Sequence, residues 1–340
     1  MPGELSNCIA GRVANRLNLS GPNFTVDTAC SSGIGAILPA MYELMFGRVS
    51  MMIAGGLNQQ LSDAFTCGVC ALGAVAEKEA RPYDIDGKGF LIGEGGVFFL
   101  LKRLADAKRD GDKIHAVINA VGGSSEADSK SMVAPTEEAV RRAIRETVAK
   151  SGVRPEEIAI SDTHGSANQM SDIVEARSLA AELRPNEGGE PLRIIATKSH
   201  IGHLYGGSGA SSILATLLSL KAQKSPPVRK LKTVRPEIAA IESKVRPVKA
   251  LEPLPAGTAV GAVNSLGLGG ANYFAVITTP ERGATPKAEN RGAAPLVPVS
   301  RGESVRASDA GHDDVFLCLA SSEKEIAAAL GRALDRAGGA

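Results

Sequence analysis

The stretch Thr25-Val-Asp-Thr-Ala-Cys30-Ser-Ser32, followed by Gly33, decides how the rest of the chain is read. Asn23 to Thr28 alternates β-branched and polar residues as a short strand does, and Ser32 to Phe46 sets Ile34, Ile37, Leu38, Met41 and Met45 near helical period. The spacing predicts a strand-to-helix turn with Cys30 at its apex. Ala29, Ser31, Ser32 and Gly33 are small enough to let that turn be sharp. A thiol at a helix N-terminus has its thiolate favoured by unpaired N–H groups, so Cys30 reads as a nucleophile. Pro39 inside the following helix removes one internal hydrogen bond and predicts a kink.

Working outward, strands are expected at Ser50 to Ala54, Val97 to Leu101, Ile114 to Val121, Glu157 to Asp162, Arg193 to Thr197, Ala259 to Val263 and Asn272 to Thr278. Helices are expected at Asn7 to Asn18, Asp172 to Leu183 and Gly207 to Ala222. Thr136 is the expected N-cap of another, with Glu137 and Glu138 in its first turn and Gly152 at its end. This alternation is an α/β rhythm. From Pro280 to about His312 the composition turns to Pro, Ala, Gly, Arg, Ser and Glu without period, as in a linker. One strand and one amphipathic helix are expected after it, from Asp314 to Ala337.

Composition narrows the function classes. The chain has 340 residues, 44% of them hydrophobic and 22% charged, which suits a soluble α/β protein with a sizeable core. Lys and Arg total 38 against 37 Asp and Glu, with no long run of either sign, so neither nucleic acid nor an anionic membrane is the expected partner. No apolar run reaches the ~18 residues of a membrane helix, and the N-terminus has no signal-peptide pattern. A cytoplasmic protein is expected. Five scattered cysteines do not form a disulfide framework, which leaves Cys30 free to react.

Chemically capable residues fall at the ends of the expected strands: Cys30, His164, the pair His200 and His203, and Asn264 with its glycines. Ligands of open α/β sheets bind at that edge. Cysteine with histidine suggests acyl transfer through a thioester. His200-x-x-His203 and Cys67-x-x-Cys70 could also suggest zinc, but a second pair at finger-like spacing is missing from each. The Gly206-Gly-Ser-Gly209 cluster lacks the Lys-Ser/Thr of a phosphate loop, so close helix packing is its expected role.

Taken in order, Val26-Asp-Thr-Ala-Cys-Ser-Ser32, Asp162-Thr-His-Gly-Ser-Ala-Asn168, Lys198-Ser-His-Ile-Gly-His203 and Asn264-Ser-Leu-Gly-Leu-Gly-Gly270 resemble the motifs of the β-ketoacyl synthase family. Arg81-Pro-Tyr-Asp84, Gly93-Glu-Gly-Gly96, Asp172 and Glu175 also match. The resemblance implies a thiolase-like layered αβαβα fold, incomplete, with much of the N-terminal half missing. It divides the chain into a ketosynthase region (1–279), a flexible linker (280–312) and the start of a following module (313–340). It makes Cys30 the acyl-accepting thiolate and gives His164 and His203 the decarboxylation of a malonyl unit. Lys198 is implied as an electrostatic tuner and Glu175 as the organiser of the polar network. The backbone N–H groups of Cys30 and Leu268 would form an oxyanion hole in the loop that includes Gly267 and Gly269. Ser166 and Asn168 would hold the phosphopantetheine arm.

The resemblance further implies no bound cofactor and no metal. Substrates would arrive on the phosphopantetheine of an acyl carrier protein, with other synthase domains or a second copy of the chain as partners. Dimerisation is expected through Asn23 to Thr28. The departures are His200 where asparagine is common, Leu266 and Leu268 in place of loop phenylalanines, and Ser-Ala-Asn in place of Thr-Gly-Thr. Two rival readings follow from the same residues: a non-catalytic structural or chain-length partner or inactive fragment, and a thiolase-like enzyme acting on coenzyme A esters.

Overall fold

A computed structural model describes residues 5–59, 62–127, 134–283 and the backbone of 315–318. Among the described residues, nine strands form one mixed sheet in the order β1-β2-β11-β3-β10-β9-β4-β5-β7. They are β1 (Met51–Asn58), β2 (Gly95–Arg103), β3 (Ala116–Ser125), β4 (Ile158–Asp162), β5 (Leu192–Ile195), β7 (Val245–Pro247), β9 (Val260–Gly267), β10 (Ala271–Thr278) and β11 (Val315–Cys318). Two-residue strands β6 (Lys224–Ser225) and β8 (Glu252–Pro253) pair separately. β4 runs parallel to β9 and β5, and β5 parallel to β7; the other pairs of the sheet are antiparallel.

Helices cover both faces of the sheet. On one side α2 (Ser32–Gly35), α3 (Ile37–Met45) and α9 (Ser208–Ala222) bring Ile34, Ile37, Leu44, Ile213 and Leu217 against Phe99, Leu101, Ile160 and Val263. On the other, α6 (Glu137–Ser151) and α7 (Gln169–Leu183) pack Val140, Ile144, Leu179 and Leu183 on Ile158, Ile194, Phe274 and Val276. The central strands β4, β9 and β10 alternate their side chains between these two cores, which is why β9 is buried along its length and β4 everywhere but at Ala159. The caps of α6 behave as their chemistry dictates: the Thr136 hydroxyl accepts from the Ala139 N–H, and Gly152 takes φ +67°.

The helix is interrupted one turn before Pro39. α2 and α3 are separated at Ala36, because Pro39 has no N–H to give the Gly35 carbonyl. Three expectations need correction. Asn23 to Thr28 is not a strand; it is largely exposed and has no ladder partner among the described residues, since β alternation cannot itself supply a neighbouring strand. Asn264 to Gly267 is not a turn but the end of β9, held by β10, and the chain reverses only at Leu268 to Gly270. The region after β1, where the sequence reading places no element, contains α4 (Asp63–Ala71), whose Ser62 cap accepts from the Phe65 N–H.

The expected linker lies outside the described residues except for a helical turn, α11 (Pro280–Gly283). Of the segment beyond it, the strand Val315–Cys318 pairs with both β2 and β3 inside the main sheet. Its companion helix lies outside the described residues. No described helix is long and apolar enough to cross a membrane.

Candidate active site

Cys30 sits in a 3-10 turn, Ala29–Ser31, that leads into α2. Ala29 takes φ +51°, unusual for a residue with a Cβ, and its N–H is held by the Asp27 carboxylate at 2.9 Å. The turn is pinned further by Ser31 Oγ donating to the Ala271 carbonyl at 3.0 Å and Ser265 Oγ donating to the Cys30 carbonyl at 3.0 Å. Close backbone approach explains the nearby glycines. A Cβ on Gly33 would lie 2.6 Å from the Ala210 nitrogen, and one on Gly56 would lie 2.0 Å from the Gly206 oxygen. Gly209 faces Ile34 in the same seam, so the Gly206–Gly209 cluster serves the packing of α9 against α2.

His164 follows β4 and His203 follows β5, so two parallel strands deliver them to one edge of the sheet, and Cys30 is carried to the same cleft by α2. The two imidazole rings lie 5.8 Å apart, nearly perpendicular. Their tautomers follow from their partners. The Leu266 N–H donates to Nδ1 of His164 at 3.3 Å, and the Tyr205 N–H donates to Nδ1 of His203 at 3.1 Å. A backbone N–H can only donate, so in both rings Nδ1 is the bare nitrogen and Nε2 carries the proton. Ser208 Oγ, 2.7 Å from Nδ1 of His203, then donates to it as well. Nε2 of His203 is buried and has no hydrogen-bond partner among the described residues. Burial, with Lys198 as a secondary cause, holds both histidines well below the usual imidazole range, so they are neutral donors at pH 7.

The thiol behaves differently from its expected character. Burial pushes the Cys30 thiol up, and the Lys198 ammonium with the backbone N–H groups of Leu268 and Cys30 only partly opposes this. A one-turn helix supplies little dipole, so desolvation outweighs it. Lys198 is itself buried and held below the ordinary lysine range, with Cys30, Asp162 and Glu175 favouring its charge.

Glu175, fully buried on α7, anchors the His164 loop. It accepts the His164 N–H at 2.6 Å, the Gly165 N–H at 3.0 Å, Asn264 Nδ2 at 2.6 Å and the Tyr83 hydroxyl at 3.2 Å. Tyr83 is also hydrogen-bonded to Thr163. Asp162 bonds Thr197 and is pushed up to about 7 by burial; Asp172 accepts from the Tyr83 N–H at 2.8 Å and is pushed up to about 8 by burial.

A cavity of about 1340 Å³ takes in Cys30, His164, His203, Ser166, Asn168, Leu266, Gly267 and Leu268. Gly269 is at the turn just outside it, with φ +97°. Ser166 is buried, whereas Asn168 is exposed and caps α7 through Oδ1, which accepts from the Met170 and Ser171 N–H groups. The other zinc-like residues do not join the Cys30, His164 and His203 set: His200 Nε2 lies 2.7 Å from the Pro227 carbonyl, and Cys67 and Cys70 are exposed on α4, with Cys70 near Tyr205. No group of metal-ligating side chains occurs among the described residues. Tyr83, Thr163, Ser208, Ser265 and the Leu266 N–H are site supports that motif reading did not assign; Tyr205 is another.

The family model for the β-ketoacyl synthase N-terminal domain matches residues 1–107, and that for the C-terminal domain matches residues 115–232. A mycocerosic acid synthase-like polyketide synthase of Mycobacterium tuberculosis is 33% identical over 288 residues, which are 82% of this chain and 14% of that protein. Erythronolide synthase EryA3 of Saccharopolyspora erythraea is 31% identical over 317 residues, 91% of this chain and 10% of that protein. Among solved structures, the ketosynthase from module 6 of the bacillaene synthase of Bacillus subtilis 168 superposes with a TM-score of 0.78 at 26% identity, covering 82% of this chain and 51% of the other. The chain thus spans about half the length of that ketosynthase and a small fraction of the two synthases.

Proposed function

Because the chain belongs to the β-ketoacyl synthase family and has a thiolase-like fold, we propose that it performs decarboxylative Claisen condensation of an acyl-Cys30 thioester with malonyl carrier protein. The observation that carries this reading is the pair of neutral imidazoles whose Nδ1 atoms are both occupied by backbone donors, leaving two Nε2–H groups for one oxyanion.

In the first half-reaction Cys30 Sγ bonds to the acyl carbon, the donor thioester C–S bond breaks, and the carrier thiol leaves with the cysteine proton. The N–H groups of Cys30 and Leu268, which already favour the thiolate, are the donors for the tetrahedral oxyanion. In the second, the malonyl C–C bond to its carboxylate breaks and carbon dioxide leaves. The electron pair passes into an enolate whose oxygen takes the His164 and His203 Nε2–H bonds. The enolate carbon then attacks acyl-Cys30 and the thiolate departs. Ser166 and the free amide nitrogen of Asn168 are the groups for the phosphopantetheine arm, and no bound cofactor is needed. Gly267 and Gly269 frame the Leu268 turn, Lys198 supplies positive charge to Cys30, and Glu175 holds the His164 loop.

The same reading takes residues 1–279 as the ketosynthase region, 280–312 as a linker and 313–340 as the start of a following module whose strand Val315–Cys318 adds to the main sheet. An acyl carrier protein and the other domains of a polyketide synthase are its partners. Asn23 to Thr28, which has no ladder partner among the described residues, is the segment by which two copies would pair.

The test is mass-spectrometric. An acyl carrier thioester should label Cys30 and not Cys8, Cys67, Cys70 or Cys318, and the His164→Ala and His203→Ala variants should still be labelled. Their decarboxylation of malonyl carrier protein should fall by about 100-fold or more. Absence of selective Cys30 labelling, or undiminished decarboxylation by either variant, refutes the assignment.

A further inference from the structure

Tyr205 lies in a 3-10 turn between His203 and α9, with φ +41°. Its ring stacks flat on the His203 imidazole, centroids 4.6 Å apart and planes 12° from parallel. Phe65 meets it edge-on at 4.9 Å and Phe90 at 5.8 Å. The ring is therefore fixed on more than one side and cannot swing freely. Yet its hydroxyl is buried with no hydrogen-bond partner among the described residues, although the residue lines the cavity that contains Cys30.

The surroundings make this hydroxyl anomalous. Phe65, Val69, Leu72 and Phe90 line the same part of the cavity with apolar groups, and phenylalanine at 205 would keep the stack on His203. Buried polar atoms are ordinarily satisfied, so an orphan on a rigidly held ring that lines a substrate cavity is a group whose partner arrives with the substrate. Burial, and secondarily the neighbouring Cys30 and Cys70, pushes this phenol up to about 12, so it is a protonated donor throughout the working range.

We infer that Tyr205 is a specificity-determining residue that donates its hydroxyl to an oxygen substituent near the thioester end of the acyl chain on Cys30. This rests on the condensing-enzyme reading above. The selected substrates are acyl thioesters with an oxygen substituent within reach of the phenol, and saturated chains are disfavoured because they leave the phenol unpaired. A site built to hydrogen-bond a substrate oxygen discriminates against the analogue lacking it far more sharply than a purely apolar site discriminates by size.

The experiment compares acylation rates of Cys30 by N-acetylcysteamine thioesters of hexanoic, 3-hydroxyhexanoic and 5-hydroxyhexanoic acid, using both enantiomers of each hydroxy acid. In each case the Cys30 S–C bond forms, the donor C–S bond breaks and N-acetylcysteamine leaves with the thiol proton. With the full chain, at least one hydroxyacyl donor should react about tenfold or more faster than hexanoyl. Tyr205→Phe, which keeps the ring and its stacking, should bring that ratio to within about twofold of one; a purely structural role would change the rates together and leave the ratio intact. Normal Cys30 acylation with no preference for any hydroxyacyl donor, or a preference that survives Tyr205→Phe, overturns the inference while leaving the condensing reading in place. Failure of every donor to acylate Cys30 overturns both.

Discussion

The Leu266 N–H and Nδ1 of His164 are joined at 3.3 Å across 102 residues of sequence. Through this bond the end of β9 fixes which nitrogen of the histidine faces the cavity with a proton. The Tyr205 N–H does the same for His203 from only two residues away. One site thus sets its two donors by a long-range strand contact and by a local turn.

The carboxylates beneath the site predict a pH signature. Asp172 and Asp162 have folded values of about 8 and about 7, above the ordinary carboxylate, so the folded state holds protons that the unfolded chain has released. Their stabilising contribution is full below the unfolded value near 3.8 and is lost as pH rises through 7 to 8. His164 and His203 have the opposite sign: depressed in the fold, they lose stability as pH falls below about 6.5. Urea midpoints should therefore decline from pH 6.5 to 8.5, and Asp172→Asn should flatten that decline. An unchanged slope in the variant would contradict the assignment.

Lys198 opposes the desolvation of the Cys30 thiol. Lys198→Met should shift the pH midpoint of iodoacetamide alkylation at Cys30 upward by about one unit or more, because a nearby opposite charge is worth that much to a thiolate. Peptide-resolved alkylation rates between pH 6 and 10 report the shift, and the exposed Cys67 and Cys70 serve as internal references.

Glu175 gathers four donors, among them the His164 N–H and Asn264 Nδ2. Glu175→Gln keeps the shape but puts an NH₂ where one carboxylate oxygen accepted, so donors meet a donor. Malonyl carrier protein decarboxylation should drop by about 10- to 100-fold, as when a support behind a reacting group is lost, while the rate of Cys30 acylation changes much less. Equal losses in both half-reactions would point to general damage to the fold.

The glycine seam makes a paired stability prediction. Gly56→Ala drives a Cβ into the Gly206 carbonyl and should cost about 3 kcal/mol or more, since backbone, unlike a side chain, cannot swing aside. Gly68→Ala lies inside α4 with open space around it and should stabilise the protein by about 0.5–1 kcal/mol. Urea unfolding of the two variants gives the sign of each directly.

What could be read along the chain was what is local. The Thr136 cap, the Gly152 stop, the proline break after Gly35 and the core periodicity of α6 and α7 follow from residues within a few positions of one another. The ordered motifs around Cys30, His164, Lys198 and His203 likewise identified the side chains that share one cavity wall or its support. The errors arose where a partner was required. Asn23 to Thr28 had the alternation of a strand without a neighbour to pair with, and Asn264 to Gly267 looked like a loop until β10 extended it.

The sequence by itself determined the chemical inventory: a cysteine, two histidines, a lysine and a glutamate in family order, within an α/β alternation. Only the tertiary structure decided their states. Burial raised a thiol expected to be acidic, the Leu266 and Tyr205 backbones chose the histidine tautomers, and packing against His203, Phe65 and Phe90 left the Tyr205 hydroxyl with no partner among the described residues. Those outcomes depend on desolvation and on which donor comes within about 3 Å of which acceptor, and both arise only when distant segments pack together.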